Sequence, residues 1–102
     1  MTSRLLPTAQ LEALDAADWY DGRATGLGVQ FLTALDDLVH TLEAHPQLYP
    51  RARGAPAARD IREAPLPGFP WIAAYEIISG EVVVLSVTHG HSVRQPWRTR
   101  RP

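Results

Sequence analysis

The stretch "WIAAYEIISGEVVVLSVTH", residues 71–89, reads as a β-hairpin. Two runs rich in β-branched and aromatic residues flank Ser79-Gly80, where glycine supplies the positive φ that a two-residue turn needs. The simplest register sets Ile78 opposite Glu81, Ala74 opposite Leu85 and Ile72 opposite Val87. Side chains alternate along a strand, so Ile72, Ala74, Val83, Leu85 and Val87 share one face, predicted to pack under helices. Trp71, Tyr75, Ile77, Val82 and Val84 share the other. That second face is too apolar to be left in water, so a partner is expected to cover it.

The segments upstream supply the helices. "SRLLP" is a short apolar stretch, read as a first strand stopped by Pro7. Thr8 is placed as the N-cap of a helix over "AQLEALDAADWYDGR", with Ala9, Ala13, Leu14 and Ala17 at helical spacing. "GRATGLG" breaks it. A second helix is predicted from Leu27 to Ala44, its stripe formed by Phe31, Leu35, Leu38 and Leu42 and widened by Leu32 and Val39. Asp36, Asp37 and His40 fall on its wet face, and Pro46 stops it. Prolines and glycines punctuate residues 46–70, leaving room for an edge strand near "ARDIREA" that ends by Ala64. The expected fold is α+β: one domain over residues 1–102, with a helical hairpin packed on a small, mainly antiparallel sheet.

Composition limits the chemistry. The chain has no cysteine, so it offers no disulfide, thiolate metal site or cysteine nucleophile. No apolar run reaches the ~18 residues of a membrane span. No leader is read at the N-terminus, so a cytoplasmic protein is the expectation. Neither metal nor cofactor is expected. The basic residues are all arginine. Residues 1–50 carry two of them against seven carboxylates, whereas residues 51–102 carry eight against four. An acidic half joined to a basic half suggests an anionic partner for the second.

The order of these segments resembles the RelE/ParE superfamily, small bacterial toxins of type II toxin–antitoxin pairs. The resemblance rests on "WYDGRATGLGVQFL" at the helix junction, "HPQLYP" after the second helix and Arg62 seven residues before Phe69 in "FPW". It rests also on Ala74-Tyr75 and on "VTHG" at the end of the sheet. Many members of the subgroup carry an arginine three residues after the histidine equivalent to His89, then a proline, then a tryptophan. Here those positions hold Ser92, Arg94 and Trp97, with a proline displaced to Pro96.

The resemblance implies a cognate antitoxin and one of two targets. ParE-like members bind and inhibit DNA gyrase; RelE-like members cut mRNA on the ribosome. Strand cleavage needs a base, an acid and cations for the phosphorane charge, for which Arg62, His89 and His91 are the candidates. A near-neutral chain without lysine, lacking the arginine at position 92, favours the gyrase reading, with a degenerate non-toxic relative as a third. His89 ends a strand and reads first as a structural histidine, and Tyr75 as a packed aromatic. The tail is the most pointed feature, because aromatic and arginine residues are what binding hot spots favour. Target contact is assigned to Arg62, His91, Trp97, Arg98, Arg100 and Arg101, with Trp97 expected to pack against the fold. Antitoxin contact is assigned to Trp71, Tyr75, Ile77, Val82, Val84 and Arg94.

Overall fold

The structure is a computed structural model that describes residues 1–90 and 94–102; His91 and Ser92 lie outside them. Its elements are β1 (Thr2–Leu5), α1 (Pro7–Arg23), α2 (Leu27–Ala44), β2 (Asp60–Pro65), β3 (Trp71–Ile78) and β4 (Glu81–His89). A 3-10 turn, Pro96–Thr99, follows. The sheet order is β1-β4-β3-β2, with β1 parallel to β4 and the other pairs antiparallel. The expected α+β hairpin-on-sheet architecture is present.

α1 begins at Pro7 rather than after Thr8. Proline suits a first helical position because the N–H it lacks would have no partner there. The helix turns its alanines inward: Ala9, Ala13, Ala16 and Ala17 are buried, while Leu14, expected inside, is 45 % exposed. Small side chains let α1 lie close to its neighbours. α2 buries Phe31, Leu35, Leu38, Val39 and Leu42, as its stripe predicts. The GLG at the junction has a physical reason. Gly26 holds φ at 88°, and the Gly28 N–H donates to Asp21 Oδ1 at 2.8 Å. A Cβ on Gly28 would collide with the Ala17 carbonyl and the Asp21 carboxylate.

β2 is an edge strand and runs one residue further than expected, to Pro65, where a missing N–H is tolerated. The β3–β4 turn has φ of 52° at Ser79 and 73° at Gly80, and Ile78 pairs with Glu81 as read from the sequence. Beyond Tyr75 the simple register fails. A β-bulge gives β4 one extra residue, Leu85, so Tyr75 pairs with Val84, Ala74 with Ser86 and Ile72 with Thr88.

The assignment of the sheet's faces is also corrected. Trp71 meets Phe31 of α2 edge-on at 5.5 Å, and its indole N–H donates to the Tyr20 hydroxyl at 3.0 Å. The helices therefore cover the face of Trp71, Tyr75, Ile77, Val82 and Val84, the very set expected to await a partner. Tyr75, Val82 and Val84 are fully buried in this chain's own core, and Ile77 packs against it.

The opposite face carries Ile72, Ala74, Glu76, Val83 and Ser86, and it too is covered. Glu76 is only 3 % exposed and pairs with Arg59, itself 7 % exposed. Arg59 Nη2 lies 2.6 Å from Glu76 Oε1 and Nε 3.2 Å from Oε2. Arg59 Nη2 also donates to the Arg100 carbonyl at 2.8 Å. Arg98 donates to the Gly54 carbonyl at 3.2 Å, and Arg51 to the carbonyls of Pro56 and Arg59. Loop 51–59 and tail 94–101 are thus stapled into a third layer by guanidinium-to-carbonyl bonds. Trp97, 1 % exposed, is buried with it.

Candidate functional site

The sheet has an open edge. β1 pairs with β4 only at residues 81–84, and the Leu6 N–H reaches the Val84 carbonyl. Past that point two side chains take the place of a strand. Glu12 of α1 accepts the Val87 N–H at 3.0 Å. Arg100 donates to the Leu85 carbonyl at 2.9 Å. The two then pair in parallel, Nη1 to Oε1 at 2.7 Å and Nη2 to Oε2 at 3.1 Å. A carboxylate stands where a neighbouring carbonyl would, and a guanidinium where an N–H would. Buried backbone groups are satisfied and the edge is blunted.

Beside this clamp a groove of about 710 Å³ opens between α1 and the end of β4. Trp19, Tyr20, Trp71, His89, Pro70 and Pro96 wall it; Glu12, Asp15 and Arg94 bring charge to it. Its aromatic wall is held from behind. Tyr20 stacks on Phe31 at 5.4 Å and meets Phe69 edge-on at 5.0 Å; Trp71 meets His89 edge-on at 5.6 Å. Trp19 is 54 % exposed, with the Arg23 guanidinium 4.5 Å from its ring centre. A rigid concave aromatic wall with a few charges is what binding clefts present. Among the described residues no His/Asp/Glu group is placed to hold a metal, and no helix is long and apolar enough to cross a membrane.

Charge is layered in space more sharply than along the chain. The two helices carry seven carboxylates and one arginine, Arg23. Loop 51–59 and tail 94–101 carry seven arginines and no carboxylate side chain. The helices cover one face of the sheet and the loop–tail layer the other; the two meet at the edge of β4, where Arg100 pairs with Glu12 and Arg94 shares the groove with Glu12 and Asp15.

The family model described as "ParE toxin of type II toxin-antitoxin system, parDE" matches residues 4–94, nearly all of this architecture. The chain belongs to the ParE toxin family. A solved structure from P. aeruginosa, titled "Chromosomal ParDE TA system from P. aeruginosa", has the same fold. It aligns with a TM-score of 0.63 and 18 % identity, over 87 % of this chain and 95 % of that one. Among curated proteins, none matches the sequence.

Within this ParE-family chain the residues singled out from sequence fall into different places. Arg62 is 15 % exposed at its side chain and binds Asp60 at 2.9 Å on its own strand. Its Nη1 donates to the Tyr49 carbonyl at 2.7 Å. The partner carboxylate comes from β2, not from the acidic helices. Tyr75 donates to the Pro46 carbonyl at 2.7 Å. Burial pushes its phenol above the usual tyrosine value, so it stays protonated at neutral pH and is no base. His89 pairs across the sheet with Trp71, while Arg62 pairs with Tyr75. Those positions are separated along β3 by four residues, roughly 13 Å. His91 falls outside the described residues.

The tail residues divide too. Trp97 is core, and Arg100 is part of the edge clamp. Arg98 is exposed with its guanidinium 5.0 Å from the Trp97 ring centre, and Arg101 is exposed. Trp71 and Arg94, both assigned to the antitoxin, line the groove, whereas Tyr75, Ile77, Val82 and Val84 do not. Sequence reasoning missed Glu12, Arg59 and Glu76. A single carboxylate inside "WIAAYEII" was a readable signal for a buried ion pair; nothing local marked Arg59 or Glu12.

Proposed function

We propose that this ParE-family toxin acts by binding and inhibiting DNA gyrase in the bacterial cytoplasm, and that a cognate antitoxin neutralises it. The observation that carries the choice of target is Arg62. A ribonuclease would need that guanidinium available for the scissile phosphate, yet it is spent on Asp60 and the Tyr49 carbonyl. The protonated phenol of Tyr75 and the packing of His89 on Trp71 support the same reading, because neither supplies a base beside Arg62. The protein then works by contact rather than catalysis. The groove beside α1 is the surface offered to the antitoxin: its aromatic wall takes apolar anchors, and the basic layer steers an acidic chain toward it.

Gyrase poisoning and mRNA cleavage stop a cell in different orders. On induction of the toxin, thymidine incorporation is expected to fall before amino-acid incorporation, and co-expression of the antitoxin to restore both. Amino-acid incorporation collapsing first, with mRNA cut at defined codons, would transfer the assignment to a ribosome-dependent ribonuclease.

A further inference from the structure

The arginines of the third layer are not all used by the fold. Arg59 is taken by Glu76, Arg100 by Glu12, and Arg51 lies 3.5 Å from Asp60. None of the ion pairs among the described residues involves Arg53, Arg98 or Arg101, and all three are exposed. They come from one patch. Arg53 precedes Gly54, whose carbonyl accepts from Arg98; Arg101 follows Arg100, whose carbonyl accepts from Arg59.

We propose that Arg53, Arg98 and Arg101 form a docking surface for the phosphate backbone of duplex DNA. Guanidinium groups match phosphate oxygens in bidentate geometry and are weakly hydrated, so the contact is favoured over hydration. Orientation follows from the layering of charge. The helices, with seven carboxylates, repel a polyanion, so the chain meets DNA through its loop–tail face only. The groove beside α1 lies at the border of that face, with α1 on one side and Arg94 and Pro96 of the tail on the other. For its biological place this inference rests on the gyrase reading: the DNA is that on which gyrase acts, and the basic layer adds a contact to the toxin's grip on the enzyme.

The test needs no gyrase. Binding of the full chain to a short fluorescein-labelled DNA duplex is followed by anisotropy over a range of salt concentrations. Neutralising three phosphates gives a log–log salt slope of about −2.7. The double variant Arg53→Gln/Arg101→Gln removes two of the three charges assigned to the DNA surface, both exposed and in none of the ion pairs among the described residues. Its slope should fall to about −0.9, and its affinity at about 50 mM salt should drop on the order of a hundredfold. Arg23→Gln, on the acidic layer, should bind as the parent does, and the melting temperatures of both variants should match it. Equal binding of an RNA duplex would support recognition of the backbone alone. A flat salt response or a double variant that binds like the parent would overturn the proposal. Because gyrase is absent, such a failure leaves the gyrase reading standing. Loss of the gyrase reading in cells would in turn leave DNA binding intact in the cuvette.

Discussion

Replacing Trp97 by alanine is expected to cost about 3–5 kcal/mol of folding stability, the usual penalty for deleting a buried indole. Trp97 is the largest of the fully buried side chains and lies only five residues from the end of the sequence. It holds the tail as a layer, and the loss would not stop at its own cavity. Without it, Arg100 is no longer delivered to Glu12 and the Leu85 carbonyl, and Arg59 loses the Arg100 carbonyl. Domains of this size have only about 5–15 kcal/mol in all. The denaturation midpoint of Trp97→Ala should therefore fall sharply. Deleting residues 98–102 should also destabilise the fold, contrary to what a tail of target-seeking arginines would imply. If Trp97→Ala melts with the parent and only toxicity is lost, the indole is a surface anchor and the third layer is not formed.

Glu76→Ala is expected to be comparably severe, again about 3–5 kcal/mol, because it strands a buried guanidinium. The pair is nearly inaccessible to water, so neither member can be removed without exposing the cost of the other. The double variant Arg59→Met/Glu76→Leu should recover most of the loss, since replacing both charges by apolar groups of similar volume is often close to neutral. Urea titrations of the three proteins decide this. A Glu76→Ala protein as stable as the parent would show that Arg59 finds water, and that loop 51–59 does not close over the sheet.

What the sequence revealed followed from local chemistry. The α2 stripe, the Ser79-Gly80 turn and the edge strand ahead of Pro65 could all be read because a few neighbouring residues decide them. The face assignment failed for a physical reason. "VVVLSV" is apolar on both sides, so nothing in it reports the alternation, and one bulged residue at Leu85 is enough to interchange the faces beyond it. α1 misled in a similar way, because Leu14 outranks alanine by hydrophobicity while close packing selects Ala13 and Ala17. The clamp lay beyond local reading altogether: Glu12 and Arg100 are 88 residues apart in sequence. The tail arginines that looked like one binding cluster proved to be of two kinds: Arg100 is held in the edge clamp with Glu12, while Arg98 and Arg101 are exposed, Arg98 with one bond to the Gly54 carbonyl.

Gyrase inhibition is decided by supercoiling of relaxed plasmid by purified gyrase, titrated with the purified toxin. Supercoiling should be lost as toxin is added and regained when antitoxin is supplied, and mRNA on translating ribosomes should stay intact at the same toxin concentration. Full supercoiling at saturating, folded toxin, together with cleavage of ribosome-bound mRNA, would contradict gyrase inhibition.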